Sequence, residues 1–203
     1  MHKLIKDFNP YIELLVDSNR DLLSDFNAGS TPEDCAFTSF LQKDAESFCN
    51  NYEGVTYLIL NRVENETDIV GYYTISTKSL LLEDIIEEDG VEDVAILEIP
   101  ALEIKMFAIN EKYQDVFFKF EGIEKPISAW VFDEILRRLD EFALSGVAYK
   151  AVFLRSVEKA EPFYTRNGFS FFTKTMLDTF SVDADLKPMF HMLTDIHYNS
   201  KNK

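Results

Sequence analysis

A single long helical segment between two strand-like segments most constrains the fold of this chain. The segment "PISAWVFDEILRRLDEFALSG" starts at Pro126, carries an apolar stripe at helical spacing and ends at Gly146. The apolar segment "IPALEIKMFAIN", entered through Pro100, precedes it, and the apolar segment "YKAVFLRS" follows it. Both are typical of strands. This order predicts a layered fold in which helices pack on a sheet.

Further strands are predicted on both sides of this unit. Val55–Val63 and Asp68–Thr77 are β-branched and aromatic, and the polar turn "ENET" joins them into an antiparallel hairpin. Gly71 in the second strand indicates a bulge or a close approach of another backbone. After the long helix, "VEKAEPFYTRN" predicts a short helix, and "GFSFFTKT" and "PMFHMLTDI" predict terminal strands.

The first 54 residues are predicted to form two helices. The segment "NPYIELLVDSNRDLLSDF" is the first, and the second begins with Thr31 as N-cap and Pro32 in its first turn. We expect one domain over residues 1–203, with a helical part at 1–54 and a sheet core at 55–195. The acidic segment Ser79–Glu98 reads as an excursion with a solvated face, and its pattern does not assign it a role. The fold class is α/β or α+β with a mixed sheet.

Charge and composition narrow the classes of partner. Thirty-six acidic against twenty basic residues give the 203-residue chain a net charge of -16. Such a surface repels nucleic acid and anionic lipid and favours a cationic partner. No segment has the length of a membrane span or the form of a targeting sequence, so we expect a cytoplasmic protein. Cys35 and Cys49 are expected to be reduced core thiols, because a continuous helix would hold them too far apart for a disulfide.

The order of these segments resembles the GNAT superfamily of N-acetyltransferases. The resemblance rests on "IVGYYTIS", "LEIKMFAINEKYQ", "YKAVFLRS" and "AEPFYTRNGF", and it covers roughly Thr56 to Phe172. Within the superfamily these motifs are similar to toxin-type members and their relatives on mobile elements. The resemblance implies a mixed, mostly antiparallel sheet with helices on both faces, and acetyl-CoA as cosubstrate.

The resemblance also implies the groups that acetyl transfer requires, which are a base, an oxyanion donor and an acid. Tyr164 matches the tyrosine that protonates the departing thiolate, and a phenol with a pKa of about 10 stays protonated at neutral pH. Glu103 matches the acid that deprotonates the amine through water, and its central position is expected to raise its pKa. The backbone of Phe107 or Ala108 would hold the oxyanion, with Ile109 completing the donor-binding strand. Alternatively, Tyr164 only packs under the sheet, and Glu103 pairs with a surface lysine or lies at a sheet edge.

The expected pyrophosphate loop departs from the GNAT pattern. Gln114 is present, but no glycine follows until Gly122, and the helix begins only at Pro126. Bulky residues hinder a close backbone approach to a diphosphate. Three interpretations remain open. The inserted segment loops out and leaves the helix amides to bind pyrophosphate, or it covers the cofactor groove and ends catalysis. In the third, the protein uses a different acyl donor. The first interpretation assigns these amides to Ile127, Ser128 and Ala129.

These patterns together predict an acetyl-CoA-dependent N-acetyltransferase acting on an amine, with a GNAT-fold binding module that has lost its cofactor as the alternative. Toxin-type relatives that acetylate aminoacyl-tRNA fit the resemblance but are opposed by the charge of -16. A cationic small molecule or a basic protein is therefore the expected substrate, and a homodimer is a further expectation. His191 and His197 do not have metal-ligand spacing, so we expect no metal.

Overall fold

The computed structural model of this chain describes residues 3–88, 91–173, 176–177 and 186–193, with the backbone alone for 84–88 and 91–94. The chain divides into two compact units. The first comprises Met1–Ser76 and Lys105–Arg137, and the second comprises Thr77–Ile104 and Arg138–Lys203. Three elements contribute residues to both units: the strands β4 (Glu66–Glu88) and β5 (Val91–Ile109) and the helix α3 (Ile127–Ser145).

The first unit contains an antiparallel arrangement of three strands in the order β2, β3, β4. Strand β2 (Pro10–Leu14) pairs with β3 (Val55–Val63), and β3 pairs with β4 from Val55 opposite Ile75 to Val63 opposite Glu66. The hairpin predicted from the sequence is therefore confirmed. Helices α1 (Pro32–Ser39) and α2 (Ala45–Asn50) connect β2 to β3 through a short π-helical segment. Thr31 caps α1 reciprocally, since its hydroxyl accepts from the Asp34 amide and the Asp34 carboxylate accepts from the Thr31 amide.

The prediction of a first helix is wrong, because Pro10–Leu14 is a strand and Asp17–Asp25 is a 3-10 helix. Strand pairing with β3 stabilises the extended form, and local propensity yields to such tertiary contacts. Asn19 ends the strand: its side-chain oxygen accepts from the Val16 amide at 3.0 Å, and its side-chain nitrogen donates to the Leu14 carbonyl at 2.9 Å.

The inserted segment before α3 forms a β-hairpin that the sequence did not predict. Strands β6 (Val116–Phe120) and β7 (Ile123–Pro126) pair antiparallel, and β1 (Lys3–Ile5) pairs parallel to β6. The two turn residues, Glu121 and Gly122, both have positive φ, at 50° and 83°. Positive φ at both positions is the geometry of a tight hairpin turn. Phe118 anchors the hairpin, with its ring centroid 4.6 Å from that of Phe8.

Gly71 marks both features that the sequence indicated. The β3–β4 register shifts between Ile59 and Leu60, so Val70 is an extra residue in β4. A Cβ atom at Gly71 would lie 2.5 Å from the Ala108 carbonyl oxygen, closer than real contacts allow. The Asn110 amide donates to the Val70 carbonyl at 2.8 Å beside it. Within the first unit, β4 and β5 therefore approach each other closely at the bulge.

The second unit contains the strands β4, β5, β8, β10 and β9 in that order, with β4 and β5 represented by their parts within Thr77–Ile104. Strand β8 (Ala151–Ser156) pairs parallel to β5 over Ala101–Ile104, while β10 (Lys187–Met192) pairs antiparallel with both β8 and β9 (Ser170–Phe171). Helix α4 (Glu161–Arg166) precedes β9. The mixed, mostly antiparallel α+β class is confirmed. Pro100 lies within β5 rather than at its start, so that expectation is corrected.

Each unit has its own hydrophobic core. In the first, Phe26, Leu41, Leu58 and Tyr72 are among the fully enclosed residues, and in the second the cluster centres on Phe153 with Leu80 and Ala151. The expectation of two core thiols is wrong, because Cys35 is exposed and Cys49 is half-buried, although both are free. The exposed first turn of α1 places Cys35 on the surface.

Two further expectations concern features along the whole chain. The segment Ser79–Glu98, which was predicted to be an excursion, instead continues β4 and begins β5. The prediction that this segment has a solvated face concerns mostly side chains that lie outside the described residues. Within the described part of the chain, no helix has the length and apolar character needed to cross a membrane.

Candidate active site

Tyr164 lies in α4 with its ring enclosed by aromatic neighbours. Pro162 lies in the first turn of the helix, where its missing N–H removes no helical hydrogen bond. The Tyr164 side chain is 9% exposed, and its ring centroid lies 5.4 Å from that of Phe163 and 6.0 Å from that of Phe169. Burial raises the pKa of the Tyr164 phenol above its usual value. The phenol therefore holds its proton at neutral pH.

A tight turn after α4 fixes the backbone of Tyr164. The Asn167 and Phe169 amides both donate to the Tyr164 carbonyl, at 3.0 and 3.1 Å, and Gly168 has a φ of 84°. His191 supports this turn, because its Nδ1 donates to the Gly168 carbonyl at 2.8 Å. A Cβ at Gly168 would lie 3.0 Å from the imidazole, so the glycine is needed for close approach as well as for its φ. Sequence reasoning had considered His191 only as a metal ligand and missed this supporting contact.

Glu103 lies in the interior of β5 and is 4% exposed. Strand β5 lies between β4 and β8, and Glu103 is opposite Phe153 on β8, so the alternative of an edge position is wrong. Its Oε1 lies 3.7 Å from Nε of Arg155, a partner that sequence reasoning missed. Arg155 follows Phe153 by two residues and therefore shares its face of the strand. The alternation of side chains along β8 could have predicted this contact, because it places Arg155 on the same face as the buried acid of the neighbouring strand.

Glu103 is not a surface side chain, unlike Lys105, which lies two residues further along the same strand. Lys105 is exposed, and its Nζ lies 5.5 Å from the centroid of the Phe48 ring. Glu103 is instead a buried acid beside a guanidinium group, which offsets part of the cost of burying its charge. The burial of Glu103 therefore contradicts the alternative in which its side chain lies at the surface.

The predicted donor-binding backbone forms the end of β5. Ala108 and Ile109 are buried, at 7% and 8% exposure, and the Phe107 ring packs 5.3 Å from the Phe132 ring of α3. These three side chains belong to the core of the first unit. This agrees with the expectation that only the backbone of this segment would contact the acetyl donor. The glycine at position 71 brings the Ala108 carbonyl close to β4.

Gln114 has a structural role that the sequence did not predict. Its Nε2 donates to the Ala28 carbonyl at 2.7 Å and to the Ile109 carbonyl at 2.9 Å. An amide group has two donor hydrogens, and both are used here. Gln114 thus ties the end of β5 to the segment that precedes α1.

The first turn of α3 keeps the amides that were assigned to pyrophosphate. Pro126 ends β7 and the helix begins directly at Ile127, so the first-turn amides have no helical carbonyl to bind. Ile127 is fully buried, whereas Ser128 and Ala129 are half-buried. Lys125 pairs with Asp133 at 2.6 Å, which leaves less of its charge for a phosphate.

The structure thus groups the candidate residues into two sets. Glu103 and Tyr164 belong to the second unit. The β5 end, Gln114 and the first turn of α3 belong to the first unit. Among the described residues no cluster of three metal-ligating side chains occurs, and His197 lies outside them.

Comparison with known proteins identifies the fold. No family model matches the chain, and no curated protein sequence matches it. Among solved structures, a Tyr-to-Phe mutant of the AtaT toxin matches with a TM-score of 0.67 and 18% identity, covering 97% of each chain. AtaT complexed with acetyl-methionyl-tRNAfMet matches with a TM-score of 0.65 and 20% identity, covering 95% of this chain and 99% of the other. The chain has the GNAT fold.

A third solved structure has a similar fold. A Tyr-to-Phe mutant of KacT has a TM-score of 0.63 and 17% identity, covering 94% of this chain and 98% of KacT. The GNAT fold suggested by four short motifs between Thr56 and Phe172 therefore extends over nearly the whole chain.

Proposed function

We propose that this protein is an acetyl-CoA-dependent N-acetyltransferase that acts on an amine. The observation that carries the proposal is the likeness of fold, over 94% of this chain, to AtaT bound to the C-terminus of the antitoxin AtaR and to acetyl-CoA. The AtaTR complex, also solved with acetyl-CoA, has a TM-score of 0.66 to this chain. The candidate residues include a carboxylate, a phenol and backbone amides, which are the kinds of group that the three chemical roles in acetyl transfer need.

Glu103 is the proposed base. The acceptor ammonium loses a proton, through water, to the Glu103 carboxylate, and the neutral amine then attacks the thioester carbonyl. Arg155 lies 3.7 Å away, and the proposal assigns it the task of orienting the carboxylate. Arg155 is thus a positioning residue in this proposal, since it acts through Glu103.

Tyr164 is the proposed acid. As the carbon–sulfur bond breaks, the phenol gives its proton to the thiolate. The second proton that the nitrogen loses as the amide forms returns to the Tyr164 phenolate, and the proton taken up by Glu103 passes to water. Burial keeps Tyr164 protonated, and the turn held by His191 fixes its backbone. A backbone amide at Phe107 or Ala108 is the proposed oxyanion donor, because the end of β5 is held against β4 at Gly71.

The donor's pyrophosphate fits the first turn of α3 better than the inserted hairpin. The amides of Ile127, Ser128 and Ala129 have the free donors and the helix N-terminal position that bind anions. When bound, acetyl-CoA supplies the activated acetyl group. Gln114 contributes indirectly in this proposal, by holding the end of β5 through the Ile109 carbonyl.

The proposed acceptor is a cationic small molecule or a basic protein. A net charge of -16 attracts cations and repels the phosphate backbone of RNA. Among the structures of similar fold, AtaT is complexed with acetyl-methionyl-tRNAfMet and KacTA with DNA. A homodimer and a cytoplasmic location complete the proposal.

The second candidate function is a GNAT-fold binding module without transferase activity. The observation that favours it is the hairpin β6–β7, which replaces the glycine-containing phosphate loop with strands bearing three phenylalanines. Both donor hydrogens of Gln114 are also already used within the protein. A protein of this class would keep the fold without binding CoA.

Calorimetric titration with acetyl-CoA and CoA, alongside a thermal-shift scan, separates the two candidates. A ligand at about 100 times its Kd adds roughly 2.7 kcal/mol to the free energy of unfolding. A clear shift supports the transferase, and no shift at millimolar ligand supports the binding module.

An amine screen then tests the catalytic assignment. Tyr164→Phe is expected to lower kcat by about 100-fold while acetyl-CoA still binds. Tyr52→Phe is the matched control, because Tyr52 is 98% exposed. Equal activity of the two variants would exclude Tyr164 as the acid.

A further inference from the structure

A cavity of about 300 Å³ lies in the first unit, between the 3-10 helix Asp17–Asp25, the helix α2 and the beginning of β3. One wall is aliphatic and includes Leu14, Leu15 and Leu23. Leu14 is 42% exposed, so this wall reaches the protein surface. The size matches the lower end of the range for small-molecule sites, which is about 300 Å³.

The opposite side of the cavity is polar and carries an ion pair across its rim. Arg20 on the 3-10 helix and Glu46 on α2 both line the cavity, and their charged groups lie 2.7 Å apart. The pair joins the two helical segments and satisfies the one cationic side chain of the lining. Asp17 also lines the cavity, and no basic side chain of the described residues forms an ion pair with it.

The charges that line the cavity favour a cationic ligand. Two carboxylates and one guanidinium group line the cavity, so its net charge is negative, as is that of the whole chain. An incoming anion would have to compete with Glu46 for Arg20, whereas an incoming cation can pair with Asp17 directly. The aliphatic wall suits a short hydrocarbon tail, because burying it removes apolar surface from water.

We propose that this cavity binds a small amphiphilic cation, a primary ammonium group on a short aliphatic chain. The tail packs against Leu15 and Leu23, and the ammonium group pairs with Asp17 at the rim. The proposal does not depend on the transferase function, since all of its residues belong to the first unit and none is assigned a catalytic role.

Hexylammonium is the probe, with hexanoate and 1-hexanol as matched ligands of the same chain length. Methyl spectra of leucine-labelled protein are expected to show saturable shifts at Leu14, Leu15 and Leu23 with hexylammonium, at least fivefold tighter than with hexanoate. Absence of shifts at these leucines, or tighter binding of hexanoate, would overturn the proposal. Equal affinity for all three ligands would show a merely apolar cavity and would also overturn it.

Two variants and one chemical readout sharpen the test. Asp17→Asn is expected to weaken hexylammonium binding about threefold, as for a partly exposed ion pair, and to leave hexanol binding unchanged. Asp21→Asn, on the same helix but outside the cavity lining, is the control. In a Cys35→Ser background, hexylammonium should also slow alkylation of Cys49, which lines the cavity. Equal effects of the two aspartate variants would refute the role of Asp17.

Discussion

Gly71→Ala is the substitution that most directly tests the close approach of β4 and β5. A Cβ at this position would lie 2.5 Å from the Ala108 carbonyl oxygen and 3.0 Å from Cδ1 of Ile109. Ordinary carbon–oxygen contacts are about 3.3 Å or longer, so the backbone must move by roughly 0.8 Å. The isoleucine side chain can adjust, but the carbonyl is part of a strand.

The magnitude follows from two opposing terms. Overpacking of this kind costs about 3 kcal/mol, since it moves backbone that also carries the bond from the Asn110 amide to the Val70 carbonyl. Alanine restricts the unfolded chain more than glycine, which returns about 0.5 to 1 kcal/mol. We therefore expect a net loss of about 2 kcal/mol in the free energy of unfolding. For a chain of this size this lowers Tm by roughly 4 to 8 °C.

Urea unfolding, followed by circular dichroism, measures the loss. Gly122→Ala is the matched control, because its φ is 83° but no atom lies within 4 Å of the added Cβ. That variant bears only the left-handed backbone cost of about 1 kcal/mol. If Gly71→Ala is as stable as Gly122→Ala, the reasoning about close approach is refuted. Weakened acetyl-CoA binding by Gly71→Ala would further support a role for the Ala108 backbone.

Three other perturbations test separate parts of the structure. Thr31→Ala should cost about 1 kcal/mol of stability through loss of the α1 cap, whereas Ser30→Ala should cost almost nothing in the same urea assay. Phe118→Ala should cost about 3 kcal/mol and shift the fluorescence of the single tryptophan, while Phe120→Ala, at a 44% exposed position, should do neither. Burial raises the pKa of Tyr72, so stability present below about pH 10 should fall as pH rises further, by up to about 1.4 kcal/mol per unit. Tyr72→Phe should make that decline shallower between pH 9 and 11, while Tyr164, whose pKa burial also raises, keeps its share; an unchanged slope would contradict the prediction.

The sequence predicted those elements whose local signals agree with their tertiary contacts. The long helix α3 has an apolar stripe, and its N-terminal proline and terminal glycine place its two ends within one residue of Ile127–Ser145. The hairpin β3–β4 combined β-branched runs with a polar turn. Gly71 was readable because glycine inside a strand has few explanations, and the structure shows two of them at once.

The predictions of secondary structure were wrong where the pattern of apolar residues fits both a helix and a strand. In Pro10–Leu14, neighbouring apolar pairs fit both a helix and a strand, and pairing with β3 decides between them. The hairpin β6–β7 was missed because its partner, β1, lies more than 100 residues away in the sequence. A contact of that separation leaves no periodic trace in either segment.

The catalytic candidates show a related limit. Tyr164 and Glu103 were found by motif and position, but their supporting residues, His191 and Arg155, come from other strands. His191 lies 23 residues from the carbonyl that it binds, and Arg155 follows Glu103 by 52 positions. Such partners become visible only when strand register is known. A residue's role in positioning another is therefore harder to predict than the role of the residue itself.

The glycine-poor loop need not end donor binding, because glycine serves a specific purpose there. It lets backbone amides approach a diphosphate closely, and that need falls when the amides lie at a helix end. Here Pro126 joins β7 directly to α3, so Ile127, Ser128 and Ala129 keep their free amides without an intervening loop. Such a site has fewer donors than a full glycine loop and depends more on the helix N-terminus. The transferase proposal therefore predicts acetyl-CoA binding that weakens with salt, whereas a binding module would show no CoA binding at any ionic strength.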